Sequence, residues 1–209
     1  MTPGASHSRA TSRPRLAVFI SGSGRTLINL ADRCDREQLP ATVALVVASR
    51  PCRGAELARA RGLPVVLDPP GGWTYATLTA LLREHDITLV VLAGYLKLLP
   101  ISPALAGRAL NIHPALLPDF GGPGMYGHHV HAAVIAAKRT TSGCTVHECS
   151  DQYDRGPILA QAQCPVDPAD TPDTLAARVF ALELDLYPRA IAAALARLGP
   201  NPAAIFPHA

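Results

Sequence analysis

Apolar residues fall into short unbroken blocks along the first half of this chain. Residues 16–20 (L-A-V-F-I), 41–49 (A-T-V-A-L-V-V-A-S) and 87–93 (I-T-L-V-V-L-A) are three of them. Blocks of this length without polar alternation read as strands buried on both faces, the pattern of a parallel sheet. Helical spacing occupies 27–33, 54–61 (ended by Gly62) and 75–85, with a brief strand at 64–67. Residues 103–108 are helix-like, 109–112 form a short strand and 128–138 an amphipathic helix. Residues 144–150 alternate like a strand and 158–166 return as another. A long helix over 173–197 is opened by Asp170-Thr171-Pro172, an N-cap with proline in the first turn. The β-α-β order predicts an α/β fold, a doubly wound, mostly parallel, Rossmann-like sheet with right-handed crossovers. The 151–157 connection suits a hairpin, so an antiparallel strand is expected near the C-terminal edge.

Within this frame, residues 110–118 (L-N-I-H-P-A-L-L-P) stand out. Asn111 and His113 are two apart in a strand and point to the same face. Pro114 cannot donate to a ladder and holds His113 extended, so the strand stops there. Ligands of open α/β sheets sit outside the carboxyl ends of strands. An amide that orients an oxygen and an imidazole that exchanges a proton are thus expected side by side at such an end.

Directly after the first strand comes S-G-S-G-R-T at 21–26, then a helix start. Glycine there either serves the tight turn alone or lets a phosphate approach the free N–H groups of the helix. The third glycine of a dinucleotide fingerprint and the G-K-[ST] of a P-loop are missing, so a monophosphate fits better than NAD or ATP. Residues 94–100 (G-Y-L-K-L-L-P) leave the carboxyl end of the 87–93 strand, either as one wall of a flat aromatic pocket or as ordinary loop packing. Residues 119–127 (D-F-G-G-P-G-M-Y-G) form an irregular, mobile loop beside the site. His128, His129 and His131 follow. Without a carboxylate or Cys at ligand spacing they favour a solvated helix start, or a His supporting the site, over a metal. His147 reads as a core histidine or a partner of the site. Asp154 is by itself a turn former, and Glu183 by itself a surface residue of its helix.

Composition narrows the class. With 48% hydrophobic and 17% charged residues the chain is globular, and 209 residues suit one large domain. A single domain is expected over 15–198, with a disordered tail at 1–14 and a C-terminal tail at 199–209. The basic, Ser-rich start shares its composition with organelle transit peptides but reads as a plain tail. A net charge of +3 is too small and scattered for a nucleic-acid surface. The five Cys are spread out with no C-x-x-C, which argues against a disulfide framework or zinc ribbon and for a reducing cytoplasm. No apolar run approaches the roughly 20 residues that span a bilayer.

Several segments together resemble the phosphoribosylglycinamide formyltransferase family of folate-dependent formyltransferases. They are S-G-S-G-R-T-L, V-L-A-G-Y-L-K-L-L, L-N-I-H-P-A-L-L-P, G-G-P-G-M-Y-G-H-H-V-H-A-A-V-I, S-G-C-T-V-H, Y-D-R-G-P-I-L-A-Q and E-L-D-L-Y-P, in family order over about residues 15–195. The resemblance implies transfer of the formyl group of 10-formyltetrahydrofolate, as co-substrate, to the amine of 5'-phosphoribosylglycinamide in purine biosynthesis. It implies a catalytic trio of Asn111, His113 and Asp154, beside which His147, from its own strand context, is the candidate supporting residue. It implies that Gly24, Arg25 and Thr26 hold the substrate's phosphate, with Phe180 and Glu183 reaching its glycinamide end. It implies folate contacts from Leu96, Lys97, Leu98, Leu99, Asn111, Ser150, Asp151, Gln152, Tyr153 and Asp154. Asp154, if close to His113, is expected to favour the imidazolium and raise its pKa. The phosphate turn departs from the family's Asn-rich pattern, with Arg25 adding a cation. Small-molecule substrates, no metal, no nucleic acid, no membrane, a cytoplasmic location and a monomer or homodimer complete these expectations. Kept beside them are a 10-formyltetrahydrofolate hydrolase, a formyltransferase acting on another amine, and a non-catalytic nucleotide-binding Rossmann module.

Overall fold

The computed structural model describes residues 13–199 and 203–206. Most of the expected N-terminal tail, and part of the C-terminal one, lies outside them. Among the described residues seven strands form one sheet: β1 (Arg15–Ile20), β2 (Thr42–Ala48), β3 (Val65–Leu67), β4 (Leu89–Leu92), β5 (Ala109–His113), β6 (Thr141–Glu148) and β7 (Ile158–Pro165). Their spatial order is β3-β2-β1-β4-β5-β6-β7. The first five pair in parallel, and β6 runs antiparallel to both β5 and β7. The expected mostly parallel sheet with one reversed strand near its C-terminal edge is the one observed.

Helices α1 (Arg25–Asp35), α2 (Arg53–Ala60), α3 (Tyr75–Glu84), α4 (His128–Ala136) and α5 (Pro172–Arg197) cover the sheet. The unbroken apolar blocks reflect coverage on both faces. Leu16, Val18 and Ile20 of β1 enter the core shared with α1 and α5, while Ala17 and Phe19 enter the other, shared with α3. Reciprocal side-chain and backbone bonds in capping boxes at Thr74 and Thr171 start α3 and α5, the latter with proline at its first turn. Among the described residues no helix is long and apolar enough to cross a membrane.

Two expected elements differ. Residues 103–108 make only turns, in which the Leu105 and Ala106 N–H groups both donate to the Ser102 carbonyl, at 2.9 and 3.1 Å. Gly107, at φ 71°, bends the chain out of helical geometry before a second turn forms. The strand expected at 144–150 begins at Thr141 and ends at Glu148, because pairing with β7 extends back to Thr141 opposite Pro165. Part of the C-terminal stretch lies against the sheet, where Ile205 is buried and its N–H donates to the Ile87 carbonyl at 2.7 Å.

Connections leave β1 toward β2 on one side, and β4 and β5 lie on the other. The chain order therefore reverses between β1 and β4, where open α/β sheets place their ligands. The β1–α1 turn is seated here by two glycines in contact. A Cβ on Gly54 would lie 2.7 Å from Ile20 Cδ1 and 2.9 Å from Gly24 Cα. Gly54→Ala is expected to cost about 1–3 kcal/mol through overpacking, read as a loss of several degrees in Tm. An unchanged melting curve would show that the contact is slack.

Candidate active site

The carboxyl end of β5 carries the two polar side chains that the sequence marks. In register, Asn111 lies opposite His147 and His113 opposite Thr145 on the antiparallel neighbour β6. This pairing carries His147 to the site: its Nε2 is 3.1 Å from Asn111 Nδ2. The Nδ1–H of His147 donates to the Glu148 carbonyl at 2.8 Å, leaving Nε2 to accept from the amide. His113 and His147 are only 3% and 2% exposed, so each ring depends on protein partners rather than water.

The hairpin between β6 and β7 folds back over this strand end and supplies Asp154. Its carboxylate lies 3.5 Å from His113 Nδ1 and 3.4 Å from His147 Nε2, and accepts from Asn111 Nδ2 at 3.4 Å and from the Gly122 N–H at 2.9 Å. Asp154 has φ 56°, a left-handed conformation that aspartate tolerates better than most residues and that sets its side chain into the site. His113 Nε2 lies 2.8 Å from the Phe120 carbonyl and donates to it. The ring is thus clamped between a carbonyl and a carboxylate.

Burial pulls His113 below the ordinary histidine pKa, and this outweighs the opposing pull of Asp154 and the Phe120 carbonyl. The expected rise in its pKa is therefore not what the site produces: the carboxylate acts as supposed, but desolvation is larger. For Asp154, burial disfavours the charge, yet the two imidazoles, His147 foremost, and the Gly122 N–H together hold its carboxyl below the usual range. Burial pushes the Cys149 thiol at the cavity wall upward, so it offers no thiolate nucleophile.

The trio opens onto a cavity of about 680 Å³ at the switch point between β1 and β4. One end is the N-terminus of α1. Gly24 caps it at φ 75°, with no side-chain cap bond and no acid in the first turn, leaving N–H groups free for an anion. Arg25 stands over the Phe180 ring, 3.9 Å from its centroid. Glu183 lines the same wall and is half-buried rather than on an open surface as its sequence context suggests. Burial, only partly offset by Arg25, pushes its carboxyl up to about 8.

The other end is apolar: Leu96, Leu98 and Leu99 line it with Tyr153, beside Lys97, Ser150 and Gln152. Asp151 does not line the cavity; it is exposed, because the hairpin presents Asp154 inward and its preceding acid outward. The other residues named for catalysis or for holding either substrate, Gly24 and Thr26 among them, all line this one cavity. His128 and His131 line it too, His131 being 4% exposed with no hydrogen-bond partner on Nδ1. No group of three or more His, Cys, Asp or Glu that could hold a metal occurs among the described residues. Sequence reading missed the Phe120 carbonyl and the Gly122 N–H, backbone groups that carry no residue-type signal; the run of glycines at 119–127 was the only hint.

Comparison with known proteins bears on this arrangement. Residues 14–191 match the formyl transferase family model. The chain is 42% identical over 190 residues to the chloroplastic phosphoribosylglycinamide formyltransferase of Arabidopsis thaliana, covering 87% of this chain and 65% of the relative. It therefore spans slightly less than two thirds of that plant protein. It is 34% identical to the phosphoribosylglycinamide formyltransferase of Bacillus subtilis, over 85% of this chain and 92% of the relative. Its fold matches the crystal structure of glycinamide ribonucleotide transformylase 1 from Symbiobacterium toebii with a TM-score of 0.79 and 35% identity, over 90% and 91% of the two chains. With the family model matched over nearly all of the sheet and its helices, the chain belongs to the formyl transferase family.

Proposed function

We propose that this protein transfers the formyl group of 10-formyltetrahydrofolate to the amine of 5'-phosphoribosylglycinamide, a step of de novo purine synthesis. One observation carries the reading: a single cavity joins an uncapped helix N-terminus with Arg25, an apolar slot at Leu96, Leu98 and Leu99, and the Asn111–His113–Asp154 cluster between them. The first suits a monophosphate, the second a flat pterin ring, and the third the carbon that passes between them.

In this mechanism the substrate amine attacks the formyl carbon and a tetrahedral adduct forms. Negative charge gathers on the formyl oxygen, which the Asn111 amide and a protonated His113 stabilise. The attacking nitrogen gives up one proton and the departing folate nitrogen gains one, directly or through water, so none is consumed. Asp154 fixes the orientation of both rings and favours positive charge on them as the oxyanion develops. The folate supplies the activated carbon; the protein supplies position and electrostatics, and no covalent enzyme intermediate is needed. The five cysteines are free thiols, which fits a reducing compartment such as the cytoplasm. Hydrolysis of the formyl donor alone would leave the anion cradle at α1 without a use, so the amine acceptor is the better reading.

Asn111→Ala and His113→Ala are each expected to lower kcat by roughly 10²–10³-fold, the usual loss for one oxyanion donor. Asp154→Asn should lose turnover with little change in Tm. Near-normal rates in any of the three would remove that residue from the mechanism. Arg25→Ala is expected to raise KM for the phosphorylated substrate while leaving that for the folate. An unchanged substrate KM would show that backbone N–H groups hold the phosphate alone.

Glu183 gives a pH signature. Its carboxyl is protonated in the folded protein up to about 8 but ionises in the unfolded chain near pH ~4.3. Between those values the unfolded state binds fewer protons, so this group lowers stability as pH rises. Glu183→Gln should therefore raise Tm at pH 7.5 relative to wild type and leave it nearly unchanged at pH 4. Equal effects at both pH values would mean that the acid is not held neutral.

A further inference from the structure

Behind the apolar wall of the cavity sits an acid that lines no part of it. Asp68, just beyond β3, has a side chain only 1% exposed and gathers three donors from two different loops. Trp73 Nε1–H donates to Oδ1 at 2.8 Å, Tyr95 O–H donates to Oδ2 at 2.8 Å, and Lys97 Nζ lies 3.0 Å from Oδ2. Tyr95 and Lys97 belong to the loop after β4, whose side chains line the cavity; Trp73 belongs to the loop before α3 and does not line it. The loop after β4 has a second tether, the Leu96 N–H donating to Ser21 Oγ at 3.0 Å, with Ser49 Oγ donating to the same oxygen at 2.7 Å. Tyr95 also packs edge-on against Phe19 of β1, ring centroids 5.3 Å apart.

A buried carboxylate satisfied by three donors is a rigid anchor, whereas Lys97 without it would be free to swing with the half-exposed chain that carries it. We propose that Asp68 is a positioning residue for the formyl donor: through Tyr95 and Lys97 it holds residues 95–98 in the shape that accepts the flat ring of the folate. The inference deepens the function proposed above and rests on it. Burial and the Asp68 hydrogen bond raise the Tyr95 phenol above its ordinary value, so it remains a donor throughout the working pH range. The side-chain partners of Asp68, Trp73, Tyr95 and Lys97, belong to neither the α1 cradle nor the catalytic cluster, so its effect is confined to one substrate.

The test compares Asp68→Asn, Tyr95→Phe, Lys97→Met and Trp73→Phe with wild type in formyl transfer, together with calorimetric binding of a non-reactive 10-substituted folate. Asp68→Asn is expected to raise KM for 10-formyltetrahydrofolate, and Kd for the analogue, by about tenfold, the loss of one charge-assisted bond. Its kcat and its KM for the ribonucleotide should stay within about twofold. Tyr95→Phe and Lys97→Met should each reproduce part of the effect, and they carry the test if Asp68→Asn does not fold. Trp73→Phe removes the donor to Asp68 that does not touch the cavity and should raise the folate KM by less than Tyr95→Phe or Lys97→Met, with the ribonucleotide KM unchanged. A folate KM unaltered in Asp68→Asn, or a parallel rise in both KM values, overturns the proposal. A wild type that binds the analogue but transfers no formyl group defeats the functional reading, and the analogue Kd then decides the role of Asp68 by itself. A wild type that does not bind the analogue sinks both.

Discussion

The site depends on a carboxylate meeting two buried imidazoles. Asp154 arrives from a hairpin, in a left-handed backbone conformation, and sets its oxygens 3.5 Å from His113 and 3.4 Å from His147. Each partner is costly to bury alone, since a charge or an imidazole removed from water needs a compensating group. Together they satisfy one another, and the Gly122 N–H and the Phe120 carbonyl complete the cluster. This mutual need places the irregular segment 119–127 where it is: it supplies backbone partners that no strand end has to spare.

Sheet topology decides what this cluster can reach. The switch between β1 and β4 opens a crevice, and each bordering strand feeds it a different capability from its carboxyl end. β1 leads into an uncapped helix start, β4 into the apolar loop, and β5 into the amide and imidazole. Helix α5 closes the wall with Phe180 and Glu183, and is itself fixed beneath the site by Tyr187, whose hydroxyl lies 2.9 Å from the Leu92 carbonyl and 3.0 Å from that of Leu110. These bonds join the last residue of β4 and the second residue of β5 to one helix, so the α1 turn, the apolar slot and the cluster belong to one rigid frame.

The electrostatics of the cavity follow from depth more than from neighbours. His113 sits beside a carboxylate and is still pulled below its ordinary value, because burial is the larger effect. Glu183 is near a guanidinium and is still pushed up to about 8. Both groups therefore tend to neutrality.

The sequence by itself determined the sheet and the centre of the site. Unbroken apolar blocks require coverage on both faces, hence parallel strands between helices. A strand's period of two, ended by Pro114, places Asn111 and His113 on one side at a carboxyl end. Family resemblance then nominated Asp154, which its own turn context would have left as a turn former. Only the tertiary structure decided the rest, because the deciding quantities are relations between distant segments. The β5–β6 register brings His147 to Asn111, and hairpin closure carries Asp154 inward and leaves Asp151 outside. The docking of α5 turns Glu183 from a surface residue into a neutral acid at the cavity wall, and Gly107 cuts short the helix expected at 103–108. Residue type and periodicity report which face a side chain takes; burial depth, backbone partners and the convergence of separate loops exist only once the chain has closed on itself.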